Sequence, residues 1–561
     1  MSSTTPVSNS SNPSQNMRKY PIDGQTFKPL IEAALNWLRT NQQTVNALNV
    51  FPVPDGDTGT NMVLTMQAAW DEISELPERN VGKLAHGIAH GALMGARGNS
   101  GVILSQLWRG FARALDNQET LDGPSLVNAF HQARNTAYKG VVRPVEGTIL
   151  TVAKDIAAAA EGILNETTDP YDILEQIVPA ADRSVQHTPE LLSVLRDAGV
   201  VDAGGKGLFY LIEGMVRYIN GLPLDTPLAT VQPLASMKLQ NTLDAIEPGQ
   251  DFEVVVDFRP AQPLDLIQFY EQLENYGTSI QVGEGDGLYR MHIHVPAENL
   301  YAPIEYTKTL GTVTKAAIEN LVAQMEDLER ERSTKLKLTP VEPGQIATVA
   351  VAPGPGIARV FASLGVSAIV EGGQTMNPST QEILRSFENL PTDQVFILPN
   401  NKNIILAAQA AAQLTVKHVT VIPCRTVPQG MAAMMRLVAD GDPESIAEEM
   451  NDALGDVETG EITVATRSVE IDGVCVQEGQ YIALLNGKLV LSAESLREVT
   501  LGFLEHAHAD HFELITMFYG AEVNRREVDA IADSIRKIYP GQELEVQEGG
   551  QPHYHFIFAI E

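Results

Sequence analysis

Residues 49 to 62 read Asn-Val-Phe-Pro-Val-Pro-Asp-Gly-Asp-Thr-Gly-Thr-Asn-Met. Four side chains in this stretch carry carboxylate or amide oxygens: Asn49, Asp55, Asp57 and Asn61. Such oxygens are the ligands that Mg²⁺ prefers in proteins, usually together with substrate phosphates. Because a helical pattern begins near Thr60, the acidic loop opens onto a helix N-terminus, which favours phosphate. The stretch therefore predicts a site for magnesium and a nucleotide phosphate.

Other interpretations of this loop are weaker or stay open. An EF-hand that starts at Asp55 would need glycine where the chain has Thr60 and glutamate where it has Met66, which disfavours calcium. Asp-Gly pairs are also common in solvated turns, and spacing alone leaves that alternative open. The sequence has no Gly-x-x-x-x-Gly-Lys-[Ser/Thr] motif, so ATP chemistry would need a different phosphate cradle.

Composition narrows the class of protein. The chain has 561 residues, enough for about three or four domains. Its net charge of −32 argues against nucleic acid or an anionic membrane as a partner. The two cysteines, Cys424 and Cys475, exclude a disulfide framework and fit the cytoplasm. No apolar run predicts an integral membrane span, and residues 1–20 predict a disordered tail without a signal peptide.

The first half of the chain predicts an all-α domain over residues 21–221. Apolar residues recur there at spacings of three and four, and strand signals are missing. The helical runs cover residues 27–37, 62–70, 81–94, 102–115, 126–142, 149–163, 173–185 and 207–219. A proline-rich linker follows over residues 222–239.

The second half predicts two α/β domains. A middle domain over residues 240–335 has strands at 252–258 and 289–295, a helix at 264–273, and a long helix at 313–331 that ends in a charged, solvated hinge at 326–337. In a C-terminal domain over residues 340–561, strands at 347–351, 368–370, 395–398 and 419–422 each precede a loop and a helix, which predicts a mostly parallel sheet with helices on both faces. Polar loops at the carboxyl ends of these strands are typical of a ligand or partner site. Strand pairs and a βαβ-like segment follow from residue 462.

Three further glycine-rich loops precede helices in the first domain, at residues 95–101, 143–148 and 201–207. They offer backbone amides and polar side chains to a phosphate-rich ligand, and the candidates are Gly98, Asn99, Ser100, Thr148 and Asp202. Arg143 either steadies a transferring phosphoryl group or pairs with Glu146 on the surface. A tight helix–helix turn is an equal alternative for residues 95–101.

His292 and His294 share one face of a predicted strand, at the spacing that zinc ligands often have. Glu253 on the neighbouring strand is the candidate third ligand. Two hydrogen-bonded histidines on a half-buried strand are an equally good interpretation.

Taken together, these segments resemble a known family. The first domain resembles the nucleotide-binding domain of dihydroxyacetone kinases, the DhaL type, and the whole chain resembles the catalytic subunit of bacterial fatty-acid kinase. The segments that carry the resemblance are residues 49–62, 91–106, 143–152, 198–207, 291–294, 371–380, 398–405, 423–430 and 549–552. They span nearly everything after the tail.

The resemblance implies an eight-helix barrel that binds ATP and two Mg²⁺ ions at one end. It also implies a C-terminal domain that recruits a DegV-type fatty-acid-binding protein, whose bound fatty acid receives the γ-phosphoryl group on its carboxylate. Asp55 and Asp57, with Asn49, would bind the metal. Thr58, Thr60, Asn61, Gly98, Asn99, Ser100, Thr148 and Asp202 are the candidates for nucleotide binding. In the family a cysteine joins two histidines at a middle-domain Zn²⁺, whereas this chain has Glu253 in its place.

Two rival functions stay open at this point. One is phosphorylation of dihydroxyacetone or a related small molecule, which would need no carrier protein. The other is a nucleotide-sensing scaffold without turnover. The sequence does not decide between a monomer and a homodimer.

Overall fold

The computed structural model describes residues 18–49, 56–141, 143–224, 232–233, 252–262, 264, 266–285, 288–320, 336, 338–466, 468–471 and 473–561. The predicted tail up to residue 17, most of the predicted linker and the charged stretch at 326–335 lie outside the described residues. The chain forms two compact units, Met1–Asp225 with Lys337–Glu561, and Thr226–Leu336.

The first part of the larger unit is wholly helical, which confirms the predicted all-α domain. Its helices are α1 (Gly24–Thr40), α2 (Gln42–Asn46), α3 (Thr58–Ile73), α4 (Val81–Met94), α5 (Gly98–Ala114), α6 (Gly123–Gly140), α7 (Ile149–Ile163), α8 (Pro170–Leu191), α9 (Ser193–Ala198) and α10 (Ala203–Ile219). The sequence did not predict the short helices α2 and α9. None of the described helices is long and apolar enough to cross a membrane.

Eight of these helices form a closed ring. Each helix contacts the next one in the order α1, α3, α4, α5, α6, α7, α8 and α10. Helix α10 also contacts α1, which closes the ring. Each helix turns its apolar face inward. Aspartate caps start several of them: the Asp23 carboxylate accepts from the Thr26 amide, and Asp122 forms a capping box with Ser125.

The inside of the ring is the first hydrophobic core. Phe27 and Phe111 stack with ring centroids 6.1 Å apart, and Trp108 meets Phe111 edge to face at 5.4 Å. Burying an aromatic or aliphatic side chain of this kind contributes about 1.5–3 kcal/mol. An apolar cavity of about 80 Å³ remains among these side chains.

The smaller unit is a five-stranded sheet with helices. Its elements are β1 (Gln232–Pro233), β2 (Phe252–Pro260), α11 (Leu266–Glu274), β3 (Thr278–Gly285), β4 (Leu288–Val295), a 3₁₀ turn (Ala297–Asn299), α12 (Ala302–Leu310) and β5 (Gly311–Asn320). The strand order is β1-β3-β4-β2-β5. The predicted strands at 252–258 and 289–295 are confirmed as β2 and β4.

The prediction of a helix from residue 313 is wrong where the structure describes it. Residues Gly311–Asn320 form β5, which pairs antiparallel with β2 from Pro260↔Gly311 to Phe252↔Asn320. Thr312, Val313 and Thr314 are β-branched, and pairing with a buried strand outweighs the helical preference of the alanines that follow. Residues 321–331 of the predicted helix lie outside the described residues.

The C-terminal part of the larger unit begins with a four-stranded parallel sheet, as predicted. Its elements are β6 (Ile346–Ala352), α13 (Pro355–Ser363), β7 (Ala368–Glu371), α14 (Thr380–Glu388), β8 (Gln394–Leu398), α15 (Ile405–Ala412), β9 (His418–Val421), α16 (Val427–Met434) and α17 (Pro443–Asp452). The strand order is β7-β6-β8-β9, and every pairing in it is parallel. The loops after β7 and β8 therefore meet at one edge of the sheet.

A six-stranded mixed sheet completes the chain. This part of the chain contains β10 (Glu458–Val464), β11 (Val469–Ile471), β12 (Val474–Val476), β13 (Tyr481–Leu485), β14 (Lys488–Ala493), α18 (Leu496–His506), β15 (Leu514–Tyr519), α19 (Arg525–Ile538), β16 (Glu543–Glu548) and β17 (Phe556–Ile560). A 3₁₀ turn at Ala453–Gly455 precedes β10, and another at Ala509–His511 follows α18. The order is β14-β13-β10-β17-β15-β16, with β11 and β12 as a separate hairpin. The parallel pairing of β15 and β16 around α19 confirms the predicted βαβ segment.

The parallel sheet packs directly on the helical ring. Ala96 and Val102, from the start of α5, belong to the same buried cluster as Ile383 and Phe387 of α14 and Ile404 beside α15. Because this cluster is apolar and nearly inaccessible to solvent, it holds the C-terminal domain firmly against one end of the ring.

Candidate functional site

Asp57 stands at the start of α3 but does not cap it. An aspartate in the N-cap position normally accepts from a backbone amide of the first turn, and here the carboxylate makes no such bond. The residue is only 6% exposed. Its Oδ2 instead accepts a hydrogen bond from the side-chain amide of Asn377. A buried carboxylate that does not cap its helix can serve a ligand.

Thr60 bonds to side chains of the preceding short helix, and its role in nucleotide binding stays a prediction. Its hydroxyl accepts from the side-chain amides of Gln42 at 2.9 Å and Asn46 at 3.1 Å, and its backbone amide donates to Asn46 Oδ1 at 3.1 Å. Both partners come from α2. These bonds fix the start of α3 against α2, so in this structure Thr60 orients the loop.

The start of α5 approaches the start of α3 at Gly98. This glycine has a φ of +56°, and a Cβ there would lie 2.6 Å from Asn61 Nδ2. Only glycine accommodates both the positive φ and the approach of Asn61. Next to it, Ser100 Oγ donates to Thr58 Oγ1 at 3.4 Å. The structure therefore brings Asp57, Thr58, Asn61, Gly98 and Ser100 together.

Two further helix starts lie at the same end of the ring. A Cβ at Gly207, in the second turn of α10, would lie 2.5 Å from Met62 Sδ in α3. The Asp202 carboxylate accepts from the amides of Gly205, at 2.6 Å, and of Ile149, which starts α7. The positive ends of four helix dipoles, those of α3, α5, α7 and α10, thus gather at one end, an arrangement that favours phosphate.

Thr148 and Asp202 serve as helix caps in this structure. Thr148 accepts from the Leu150 amide at 3.4 Å, and Asp202 caps α10 through Gly205. Burial raises the pKa of the Asp202 carboxyl to about 6, although hydrogen bonds from Gly205 and Ile149 lower it. Their nucleotide-binding roles stay predictions.

Arg143 is exposed before the start of α7, and no described residue hydrogen-bonds or pairs with its side chain. The alternative pairing with Glu146 is not formed. Glu146 instead pairs with Lys154 at 2.7 Å, and this contact, together with the Thr151 hydroxyl, lowers the pKa of the Glu146 carboxyl. The role of Arg143 in phosphoryl transfer also stays a prediction.

The C-terminal domain contributes side chains to the same end of the ring. Asn377, in the loop between β7 and α14, bonds Asp57. Arg97 Nη1 donates to the Asn377 carbonyl at 3.0 Å and lies 3.2 Å from Glu382 Oε2. Asn99 Nδ2 donates to Asn403 Oδ1 at 3.3 Å, in the loop after β8. Two loops at the carboxyl edge of the parallel sheet therefore meet the candidate site.

Sequence reasoning missed five of these residues as members of the site: Gln42, Asn46, Arg97, Asn377 and Asn403. Arg97 lay within a loop already noted for its glycines. The polar loops after β7 and β8 were a usable signal, since they were expected to face a ligand or partner. Nothing in the local sequence links Asn377 to Asp57, because the two residues lie 320 positions apart.

In the smaller unit, His292, His294 and Glu253 are all buried and lie close together. His292 Nε2 lies 2.8 Å from Glu253 Oε1, and Glu253 sits opposite His294 in the β2–β4 register. The contact with His292 lowers the pKa of the Glu253 carboxyl. Among the residues that the structure describes, no group of three or more histidines, cysteines and carboxylates has a metal-holding arrangement. Zn²⁺ at these residues stays a prediction.

Comparisons with known proteins cover nearly the whole chain. Family models match residues 52–217 as a DAK2 domain, residues 247–328 as the FakA-like middle domain of fatty acid kinase, and residues 347–561 as the FakA-like C-terminal domain. Protein YloV of Bacillus subtilis (strain 168) is 37% identical over 551 residues, which cover 96% of this chain and 99% of that protein. An uncharacterized protein of Staphylococcus aureus (strain MRSA252) is 35% identical over 549 residues, with the same coverage. The chain belongs to the FakA-like fatty acid kinase family.

This assignment confirms the family resemblance and places the chain among kinases, which implies ATP as the phosphoryl donor. Two solved structures overlap with parts of it. The dihydroxyacetone kinase of C. freundii has 20% identity, covers 39% of this chain and 38% of its own, and gives a TM-score of 0.27. The Streptococcus pneumoniae Fatty Acid Kinase (Fak) B3 protein loaded with linoleic acid has 13% identity, coverages of 33% and 76%, and a TM-score of 0.25.

The residues at the end of the ring fit a magnesium ion, the metal expected with ATP in a fatty acid kinase of this family. Asp57 offers a buried carboxylate, and Asn377 Oδ1 is a buried carbonyl oxygen without a hydrogen-bond partner among the described residues. Both are hard oxygen donors of the kind that Mg²⁺ prefers. Asn49 follows α2 in the same loop, while Asp55 lies outside the described residues.

Proposed function

We propose that this protein transfers the γ-phosphoryl group of ATP to the carboxylate of a fatty acid, which a separate DegV-type fatty-acid-binding protein presents. The product would be an acyl phosphate for phospholipid synthesis. One observation carries the proposal: Asp57 is a buried carboxylate, left out of helix capping, at the end of the ring where the N-termini of α3 and α5 meet.

The site provides the groups that phosphoryl transfer requires. Phosphoryl transfer depends mainly on positioning and on neutralising the charge that spreads over the phosphate oxygens. The first turns of α3 and α5 supply backbone amides for those oxygens, and Thr58, Asn61 and Ser100 add polar side chains. Bound Mg²⁺ would neutralise phosphate charge, held by Asp57 with Asn49 and Asp55. A fatty-acid carboxylate is already ionised near neutral pH, so no strong general base is required.

The size of the barrel interior supports a separate carrier for the acyl chain. The apolar cavity among the helices has a volume of about 80 Å³, which is room for only a few water molecules. The acyl chain would therefore remain inside the binding protein while its carboxylate reaches the phosphate at the end of the ring.

The direct test measures acyl-phosphate formation. Full-length protein is incubated with γ-labelled ATP, Mg²⁺ and a fatty-acid-loaded DegV-type protein, and the acyl phosphate is trapped with hydroxylamine. Asp57→Asn should lower the rate at least about 100-fold, the scale seen when one charge-stabilising group is lost from an active site. Asp71→Asn is the matched control, because Asp71 is an exposed carboxylate on the same helix. Its rate should equal that of the wild type.

Three outcomes would contradict the proposal. Equal rates for the wild type and Asp57→Asn would show that the acidic loop is not the site. Turnover of free dihydroxyacetone without any carrier would indicate a small-molecule kinase. ATP binding without transfer to any loaded carrier would indicate a nucleotide-sensing scaffold.

A further inference from the structure

The contact between Asn377 and Asp57 joins two domains inside the candidate site. Asn377 belongs to the C-terminal domain and is only 2% exposed, while Asp57 belongs to the helical ring. The Asn377 amide donates to the Asp57 carboxylate. A hydrogen bond to a charged acceptor is about twice as strong as one between neutral groups, and burial strengthens it further. This bond therefore contributes to the orientation of the Asp57 carboxylate.

The loop that carries Asn377 is itself held on both sides. Arg97 donates to the Asn377 carbonyl at 3.0 Å. Three residues on, the Thr380 amide donates to the Ala96 carbonyl at 3.1 Å, at the entrance to α5. Because these contacts connect the loop to the ring by backbone as well as side chains, Asn377 has little freedom to leave Asp57.

A second, independent feature indicates that a ligand belongs here. Asn377 Oδ1 is buried, and no described residue donates a hydrogen bond to it. An unsatisfied buried carbonyl oxygen costs about 1–3 kcal/mol, so native proteins rarely leave one without a purpose. The same amide lies near the gap kept open by Gly98, where a Cβ would be 3.5 Å from Asn377 Nδ2. A cation or a hydrogen-bond donor that enters with the ligand would satisfy the oxygen.

We propose that Asn377 is a positioning residue of the metal–nucleotide site, so that the site is divided between the helical ring and the C-terminal domain. This inference rests on the proposed function. Asn377 holds the Asp57 carboxylate in the orientation that binds Mg²⁺ and offers its own Oδ1 to the same ligand. The C-terminal domain then does more than recruit a partner, because the ring alone lacks this support for Asp57.

The test measures metal affinity in the full-length protein. Mn²⁺ binding in the presence of ADP is followed by electron paramagnetic resonance, with Mg²⁺ and ADP titrated calorimetrically as a second probe. Asn377→Ala should weaken Mn²⁺ binding about 10- to 100-fold, which is typical when the support of a metal ligand is removed. ADP affinity without metal should change little, since Asn377 acts through Asp57.

Two control variants separate positioning from domain clamping. Asn389→Ala removes an exposed asparagine at the end of α14 and should behave as the wild type. Glu382→Gln breaks the ion pair with Arg97 across the same interface but leaves the bond from Asn377 to Asp57 in place. It should change Mn²⁺ affinity by less than about threefold, as expected for a half-exposed ion pair. Melting temperatures without ligand show that each variant is folded.

The possible results are distinguishable from a failure of the proposed function. If Asn377→Ala binds Mn²⁺ and ADP as the wild type does, or if Glu382→Gln weakens binding equally, the positioning role is refuted. If the wild type binds no metal with ADP, this inference and the proposed function both fail. If metal binding follows the expected order but no acyl phosphate forms, the proposed function fails and the positioning role stands.

Discussion

Replacing Gly98 with alanine tests the approach of α5 to α3 at the nucleotide site. Gly98 has a φ of +56°, a conformation that costs an L-residue about 1–2 kcal/mol. A Cβ would also lie 2.6 Å from Asn61 Nδ2. Because Asn61 is buried, its side chain must leave its rotamer, at about 0.5–1.5 kcal/mol. We therefore expect a destabilisation of about 1.5–3.5 kcal/mol and a displaced Asn61 amide.

Two other glycines separate these contributions. Gly199 has a φ of +65° and nothing within 4 Å of the position that a Cβ would take, so Gly199→Ala carries only the backbone cost. Gly162 lies in α7 with the same open space around its Cβ position, so Gly162→Ala should stabilise the helix by about 0.5–1 kcal/mol. All three are glycine-to-alanine changes within the helical domain.

Thermal melting and calorimetry of Mg²⁺ and ATP binding give the readouts. Since 1 kcal/mol shifts the Tm of a domain of this size by about 2–4 °C, Gly98→Ala should lower it by about 3–14 °C. Gly199→Ala should lower it less, and only Gly98→Ala should also weaken nucleotide binding. If Gly98→Ala binds nucleotide as the wild type does and has the same Tm as Gly199→Ala, the close approach of Asn61 has no role in the site.

Three further expectations concern single side chains. Burial raises the pKa of Asp202 to about 6, so the contribution of this carboxyl to stability is present below about pH 4 and is lost as pH rises through 6. Asp202→Asn should therefore make the Tm vary less with pH over that window. The same pH dependence of Tm in the variant and the wild type would contradict the raised pKa. The contact with His292 lowers the pKa of Glu253, so the contribution of this carboxylate to stability is present above about pH 4.5 and is lost as pH falls further. Glu253→Gln should therefore remove this part of the fall in Tm at acid pH. The same fall in Tm in the variant would contradict the lowered pKa. Burial raises the pKa of the Cys424 thiol to about 12, so iodoacetamide should modify only the exposed Cys475 in the native protein. Peptide mass spectrometry identifies the modified cysteine. Modification of Cys424 in the native protein would contradict its burial.

The helical ring was predictable because its signals are local. Each helix buries one face against the ring interior, so apolar residues recur along the chain at helical spacing. The parallel sheet was predictable for a related reason, since each short β-branched run precedes a polar loop and a helix. In both cases the pattern within a dozen residues determines the element.

Strand β5 is the element that local sequence patterns predicted wrongly. The alanines of residues 316–317 fit a helix, and the deciding contact is made with β2, about 60 residues earlier in the chain. A backbone pairing of that kind leaves little trace in the sequence of either strand alone. Long-range pairing therefore decided an element that local preference had placed in the wrong class.

The candidate site was predictable in part for the same physical reason. The acidic loop and the glycine-rich helix starts carry their own chemistry, so Asp57, Gly98 and Ser100 could be named from sequence. Asn377 could not, because its role follows from how the C-terminal domain packs on Ala96 and the start of α5. Only the folded chain brings that asparagine to Asp57.

A crystal structure with Mg²⁺ and a non-hydrolysable ATP analogue tests the central claim most directly. The account predicts that the phosphates lie at the first turns of α3 and α5, with the metal on Asp57 and the Asn377 contact still in place. An analogue bound elsewhere, or an Asp57 carboxylate turned toward bulk solvent with no metal beside it, would contradict the account.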